Sequence, residues 1–228
     1  MDDRNAPPLN PLPPIVWILV LPLIAMEVVL SLGTSGYVGG PLAIGWRAEA
    51  IQRFAFAPDM LRQMIETGRY PLDGLRRLVS YPLVHVNFTH AMFVVVIVLA
   101  LGKMVGEIFR WTAVVAVVLV ATVAGALVMT AVPTVHSALI GGYPPAYGLI
   151  GAFTFILWVR LAGTGSKQYR AFLMIGFLMA IQVLFAVAFG GGYSWVADLG
   201  GFVAGFVLSF VVSPGGWSRM LARFRQRG

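Results

Sequence analysis

The sequence predicts an all-α polytopic membrane protein, a bundle of six transmembrane helices with a long first loop. Two observations carry that prediction. Of the 228 residues, 59% are hydrophobic and only 11% charged, more apolar side chain than a soluble domain of this size can bury. The apolar residues also fall into six runs of roughly the ~20 residues that a bilayer core requires: Ile15–Gly33, Pro82–Val105, Thr112–Val132, Tyr147–Ala162, Ala171–Gly190 and Ser194–Val212.

Taken in order, residues 1–14 (MDDRNAPPLNPLPP) are polar and proline-rich and read as an extended cytoplasmic tail. Residues 15–212 form the membrane domain. Between its first two spans lies the long connection 34–81, in which WRAEAIQRFAF and PDMLRQMIETG carry apolar residues at three- and four-residue spacing. Both read as short amphipathic helices on the membrane surface. Pro58 with Asp59 marks a helix start and Gly68 a stop. The basic residues of the short loops collect on one side: Arg4, Lys103, Arg110, Arg160, Lys167 and Arg170, joined by the arginines of the tail 213–228. This bias predicts N-in, C-in topology, with a bacterial inner membrane as the expected setting. The loop 34–81 departs from the bias, holding Arg47, Arg53, Arg62, Arg69, Arg76 and Arg77 on the outer side. The terminal WSRMLARFRQRG reads as a tryptophan-anchored basic end suited to anionic lipid. The net charge of +7 is thus topological; no basic face with interleaved aromatics suggests nucleic acid. With no cysteine there are neither disulfides nor thiolate sites.

Polar residues within apolar runs need a partner or a cavity. Glu27 stands alone in the first span and needs a bond to a neighbouring helix or to another subunit, which makes it a possible partner contact. Lys103, Glu107 and Arg110 form an interfacial cluster at the end of the second. HVNFTH places His85 and His90 near the outer start of the second span, offset rather than stacked if both lie on a helix. With His136 the only other histidine, no metal site is expected, and no cofactor. Ser137, beside His136, and Ser194 lack an identified base, so neither is a nucleophile candidate. In WVADLGGFVAG, Asp198 precedes Gly201 and Gly205, a G-x-x-x-G that lets another helix approach closely. Gly141, Gly142, Gly148 and Gly151 leave the start and one face of the fourth span equally bare. The fourth and sixth spans are therefore expected to pack together and bring Tyr143 towards Asp198, where two buried polar groups would satisfy each other.

These features together resemble the rhomboid family of intramembrane serine proteases. The resemblance rests on the six spans, the long first loop, Arg77 ahead of the histidines in RLVSYPLVH, the HVNFTH pair, the glycine-rich IGGYPPAYGLIG and the small-residue seam of the last span. It covers nearly the whole chain after the tail. In active members the glycine-rich segment is G-x-S-G with a nucleophilic serine, the last span supplies a histidine base, and an asparagine four residues after the second histidine helps to bind the oxyanion. Carried over residue by residue, the serine position falls on Tyr143, the base on Asp198 and the asparagine on Val94, while His85 and His90 match. A phenol is a poor acyl-transfer nucleophile, a carboxylate with an ordinary pKa near ~4 is a weak base at neutral pH, and valine gives no hydrogen bond to an oxyanion. The resemblance therefore implies a catalytically inactive pseudo-rhomboid that binds transmembrane helices or membrane-protein partners without cutting them. The alternatives are an accessory or assembly subunit of a larger membrane complex and, further off, a divergent protease.

Overall fold

A computed structural model of the chain describes residues 11–189 and 192–215. Most of the predicted N-terminal tail (1–10) and most of the basic C-terminal tail (216–228) lie outside the described residues. The described part is all-helical. Among the described residues, five helices are long and apolar enough to cross a membrane: α1 (Pro14–Thr34), α5 (Phe88–Gly106), α6 (Trp111–Ala131), α7 (Tyr143–Gly163) and α9 (Ser194–Val212). This is a multi-pass membrane protein. Its outer faces carry exposed apolar side chains such as Ile18, Leu21, Leu119 and Val207, which a bilayer solvates and water would not.

The fifth predicted run corresponds to α8 (Leu173–Phe189), with 17 residues the shortest of the long apolar helices. Over these described residues, at ~1.5 Å per residue, it reaches about 26 Å, against a hydrocarbon core of ~30 Å. A 3-10 turn, Gln168–Phe172, leads into it.

Two other runs start at different residues from those expected. The apolar stretch from Pro82 does not begin a helix at once: Tyr81–Leu83 form a 3-10 turn, Val84 is extended, and α5 starts only at Phe88. Asn87 fixes that start by accepting the backbone N–H of His90, 2.9 Å, on its side chain. α7 begins four residues earlier than Tyr147, because Pro144 and Pro145 occupy its first turn, where the missing N–H groups have no helical partner to lose.

The long connection holds three surface helices, one more than its sequence pattern suggested: α2 (Trp46–Phe54), α3 (Pro58–Thr67) and α4 (Leu72–Ser80). α3 starts at Pro58 and stops at Gly68, whose φ of 66° is the left-handed cap conformation. Three of the loop's arginines are directed inward. Arg62 donates to the carbonyls of Met129 and Thr130 in the last turn of α6 and to those of Val132 and Val135 just beyond it. Arg77 donates to the carbonyls of Gln52 and Ala55. Arg47 donates to the His85 carbonyl at 2.9 Å and to both carboxylate oxygens of Glu27. The positive charge that breaks the loop bias is thus largely structural: these guanidinium groups hold helix ends and loop carbonyls in place.

The core lies along α7, packed between α5, α6 and α9, with α1 closing the side beyond α5. Glycines set the α7–α9 distance. A Cβ on Gly201 would lie 2.9 Å from the carbonyl carbon of Pro144, and one on Gly151 2.7 Å from the backbone nitrogen of Phe206. Gly148 and Gly205 face each other with no room for any side chain. The seam predicted between the fourth and sixth spans is present, backbone against backbone. At the other end of α5, Lys103 and Glu107 form the expected i,i+4 ion pair, 3.5 Å.

Candidate functional site

The segment leading into α7 is held by three backbone ties. Leu139 and Phe56 exchange two N–H···O bonds in an isolated antiparallel bridge. The Gly141 N–H donates to the Tyr81 carbonyl, 3.0 Å, and the Gly142 N–H donates to His85 Nε2, 3.3 Å. Tyr81 is itself fixed by its hydroxyl, which donates to the Thr122 carbonyl of α6 at 2.9 Å. Gly141 takes φ 94°, where a side chain would be strained. A Cβ there would also strike the His90 ring, 2.5 Å from Nε2. Glycine at 141 is therefore required twice, by backbone conformation and by the histidine packed on it.

Above this turn the rings form a stack. His85 and His90 meet edge-on, centroids 5.0 Å apart, and Tyr143 lies face to face with His90 at 4.8 Å and 20°. Tyr147 meets Tyr143 edge-on at 6.5 Å. Val94 is fully buried and fills the space beside Gly142, where a Cβ would come within 2.7 Å of its Cγ1. The two histidines do not share a helix: His90 is in the first turn of α5, and His85 lies in the non-helical segment before its cap. The offset expected from a common helix is replaced by direct ring contact.

Asp198, on α9, is buried and accepts a hydrogen bond from Gln182 Nε2 of α8, 3.0 Å. The expected Tyr143–Asp198 contact is not formed, and among the described residues Asp198 is bonded to neither histidine. Tyr143 turns to His90 instead, and the carboxylate turns to the one polar side chain in α8. Sequence reading missed Gln182, although a lone glutamine inside an apolar run was a usable signal. It also missed Arg47, whose loop position gave no hint of an inward role. The partner of Glu27 lies in the same chain: Arg47 at 2.7 and 3.0 Å, with Ser31 Oγ donating at 2.7 Å.

His85, His90, Gly141, Gly142 and Tyr143 thus come together, with Val94 behind them, while Asp198 stands apart with its own partner.

Residues 73–215, from α4 to the end of α9, match the family described as Rhomboid domain. The chain belongs to the rhomboid family. No curated protein matches it significantly. In this rhomboid chain the matched region holds the glycine turn, both histidines and the α7–α9 seam, whereas α1 to α3 precede it.

The electrostatics of His85 make one prediction. Burial, then His90 and Arg47, push its imidazole down from 6.5 to about 4, against an upward pull from Glu27. It is therefore neutral at pH 7, as an Nε2 acceptor for Gly142 must be. An unfolded imidazole binds its proton near ~6.5, so the stability linked to neutral His85 is complete above that pH. It declines as pH falls towards about 4, by roughly 3 kcal/mol over the full window. Thermal unfolding in detergent between pH 7.5 and 5 is expected to show a steeper acid loss in the wild type than in His85→Gln, whose amide oxygen can still accept from Gly142. Equal slopes would remove His85 as the cause.

Proposed function

We propose that this rhomboid-family chain is a pseudoprotease: a membrane protein that retains the family scaffold to bind transmembrane helices or membrane-protein partners, without hydrolysing them. The single observation that carries this reading is the stacking of Tyr143 on His90. At the position where the resemblance places the attacking serine, a phenol ring occupies the space above the histidine. Peptide hydrolysis by this family's chemistry needs a hydroxyl beside an imidazole base. Here the base position is a carboxylate already bonded to Gln182, and the third position is Val94. Tyr143, Asp198, His85, His90 and Val94 are on this reading vestigial site positions. A groove shaped for a helix can outlast its chemistry.

The same reading takes α8 as the fifth of six crossings, its short helix extended by the 3-10 turn before it, and sets both termini in the cytoplasm of a bacterial inner membrane. The basic tail then faces anionic lipid. The alternative of an accessory subunit in a larger complex leans on the long loop alone, whose Tyr37, Leu42 and Ile44 are exposed, since Glu27 is engaged within the chain.

The test is reconstitution of the full chain in liposomes with a panel of single-span membrane substrates. The expected result is no cleavage product, with co-purification or crosslinking of intact spans. Cleavage that disappears in Tyr143→Phe or Asp198→Ala would overturn the reading in favour of a divergent protease.

A further inference from the structure

An apolar crevice of about 190 Å³ lies where α1 and α6 touch only sparsely, beneath α4. Its mouth is formed by Ile18 of α1, Val79 of α4 and Leu119 of α6, all exposed. Its inner end reaches Val98, Pro145 and Gly142, all buried, at the first turn of α7. We propose that this crevice is a binding site for one acyl chain of a bilayer lipid.

Three observations support that occupant. The mouth is continuous with the apolar outer surface of the spans, so in a membrane its neighbour is hydrocarbon and not water. The polar groups nearest the inner end are already engaged: the Thr122 hydroxyl donates to the Val118 carbonyl, the Thr122 carbonyl accepts from Tyr81, and the Gly142 N–H donates to His85. A water molecule would want two or more polar partners there. The volume also suffices, since an apolar cavity of ~150 Å³ already admits benzene. A chain seated in the crevice packs against Gly142 and Pro145, which flank Tyr143, and so ties the lipid phase to the α7 start.

The experiment uses the full chain in liposomes of phosphatidylglycerol and phosphatidylcholine doped with a phosphatidylcholine whose acyl chain ends in a photoactivatable diazirine. After illumination, labelled residues are mapped by mass spectrometry. The expected result is labelling at the inner residues Leu83, Val98 or Pro145 in addition to the lipid-facing Ile18 and Leu119. Filling the crevice with Val118→Trp, or independently with Leu83→Trp should the first fail to fold, is expected to abolish the inner labels and keep the outer ones. Labels confined to the outer residues in the wild type would overturn the proposal, showing the crevice closed to lipid. Inner labels that persist in a folded filled variant would overturn it equally, as unspecific penetration. Neither outcome depends on whether the chain cleaves a substrate.

Discussion

Gly205→Val is expected to be the most damaging single substitution in the membrane domain. The Cβ of any residue at 205 would overlap the Gly148 carbonyl oxygen and lie 2.7 Å from its carbon and 2.8 Å from its Cα. All three obstacles are backbone atoms of α7, so no side chain can rotate away. The two helices must separate, and the contacts of Gly201 with Pro144 and of Gly151 with Phe202 and Phe206 open with them. Overpacking of a core typically costs ~1–3 kcal/mol, and more where backbone has to move. A loss of about 3 kcal/mol or more is expected, equivalent to roughly 6–12 °C in Tm for a chain of this size. Gly205→Ala should already show most of the defect, because Cβ itself is the obstacle. Gly176→Ala is the control: its Cβ meets nothing within 4 Å, and alanine favours a helix interior. Thermal unfolding in detergent that ranked Gly176→Ala with the two Gly205 variants would show that the seam is not what holds α7 to α9.

The seam was legible in the sequence because its cause is one-dimensional. Small residues at i and i+4 in an apolar run leave a flat face, and a flat face in lipid finds another helix. Five of the predicted spans were legible for a similar reason, since the bilayer imposes a length. What failed depended on rotation and on loop geometry. Asp198 could have turned to Tyr143 or to α8, and sequence does not set the angle about a helix axis that chose Gln182. The second span looked continuous from Pro82 because Pro82, Leu83, Val84 and Val86 are apolar. In the fold Tyr81–Leu83 form a 3-10 turn and Val84 is extended, with His85 bonded to Gly142, and Asn87 delays the helix. The inward role of the loop arginines is hidden for the same reason: the carbonyls they bind lie 20 or more residues away in sequence, beyond any local pattern.

The second large effect is expected at Arg47, where that long-range placement can be tested directly. Its guanidinium binds both oxygens of Glu27, the Ser31 hydroxyl and the His85 carbonyl, tying α2 to α1 and to the segment ahead of α5. The side chains of Arg47 and Glu27 are only 15% and 6% exposed, so removing one leaves the other charge largely desolvated. Breaking a buried pair from one side typically costs ~3–5 kcal/mol, whereas replacing both partners by apolar residues is often near neutral. Arg47→Met is accordingly expected to cost about 3 kcal/mol, and the double variant Arg47→Met/Glu27→Leu to recover much of it, a coupling that independent sites would not show. The recovery should stop short of complete, because the double variant still lacks the donor to the His85 carbonyl. Limited proteolysis separates the two parts of the loss: cleavage within 34–81 should rise in both variants, while the Tm deficit should be large only in the single one. Equal Tm losses in the single and double variants would mean that Arg47 acts through the His85 carbonyl alone and that Glu27 contributes nothing to holding the loop.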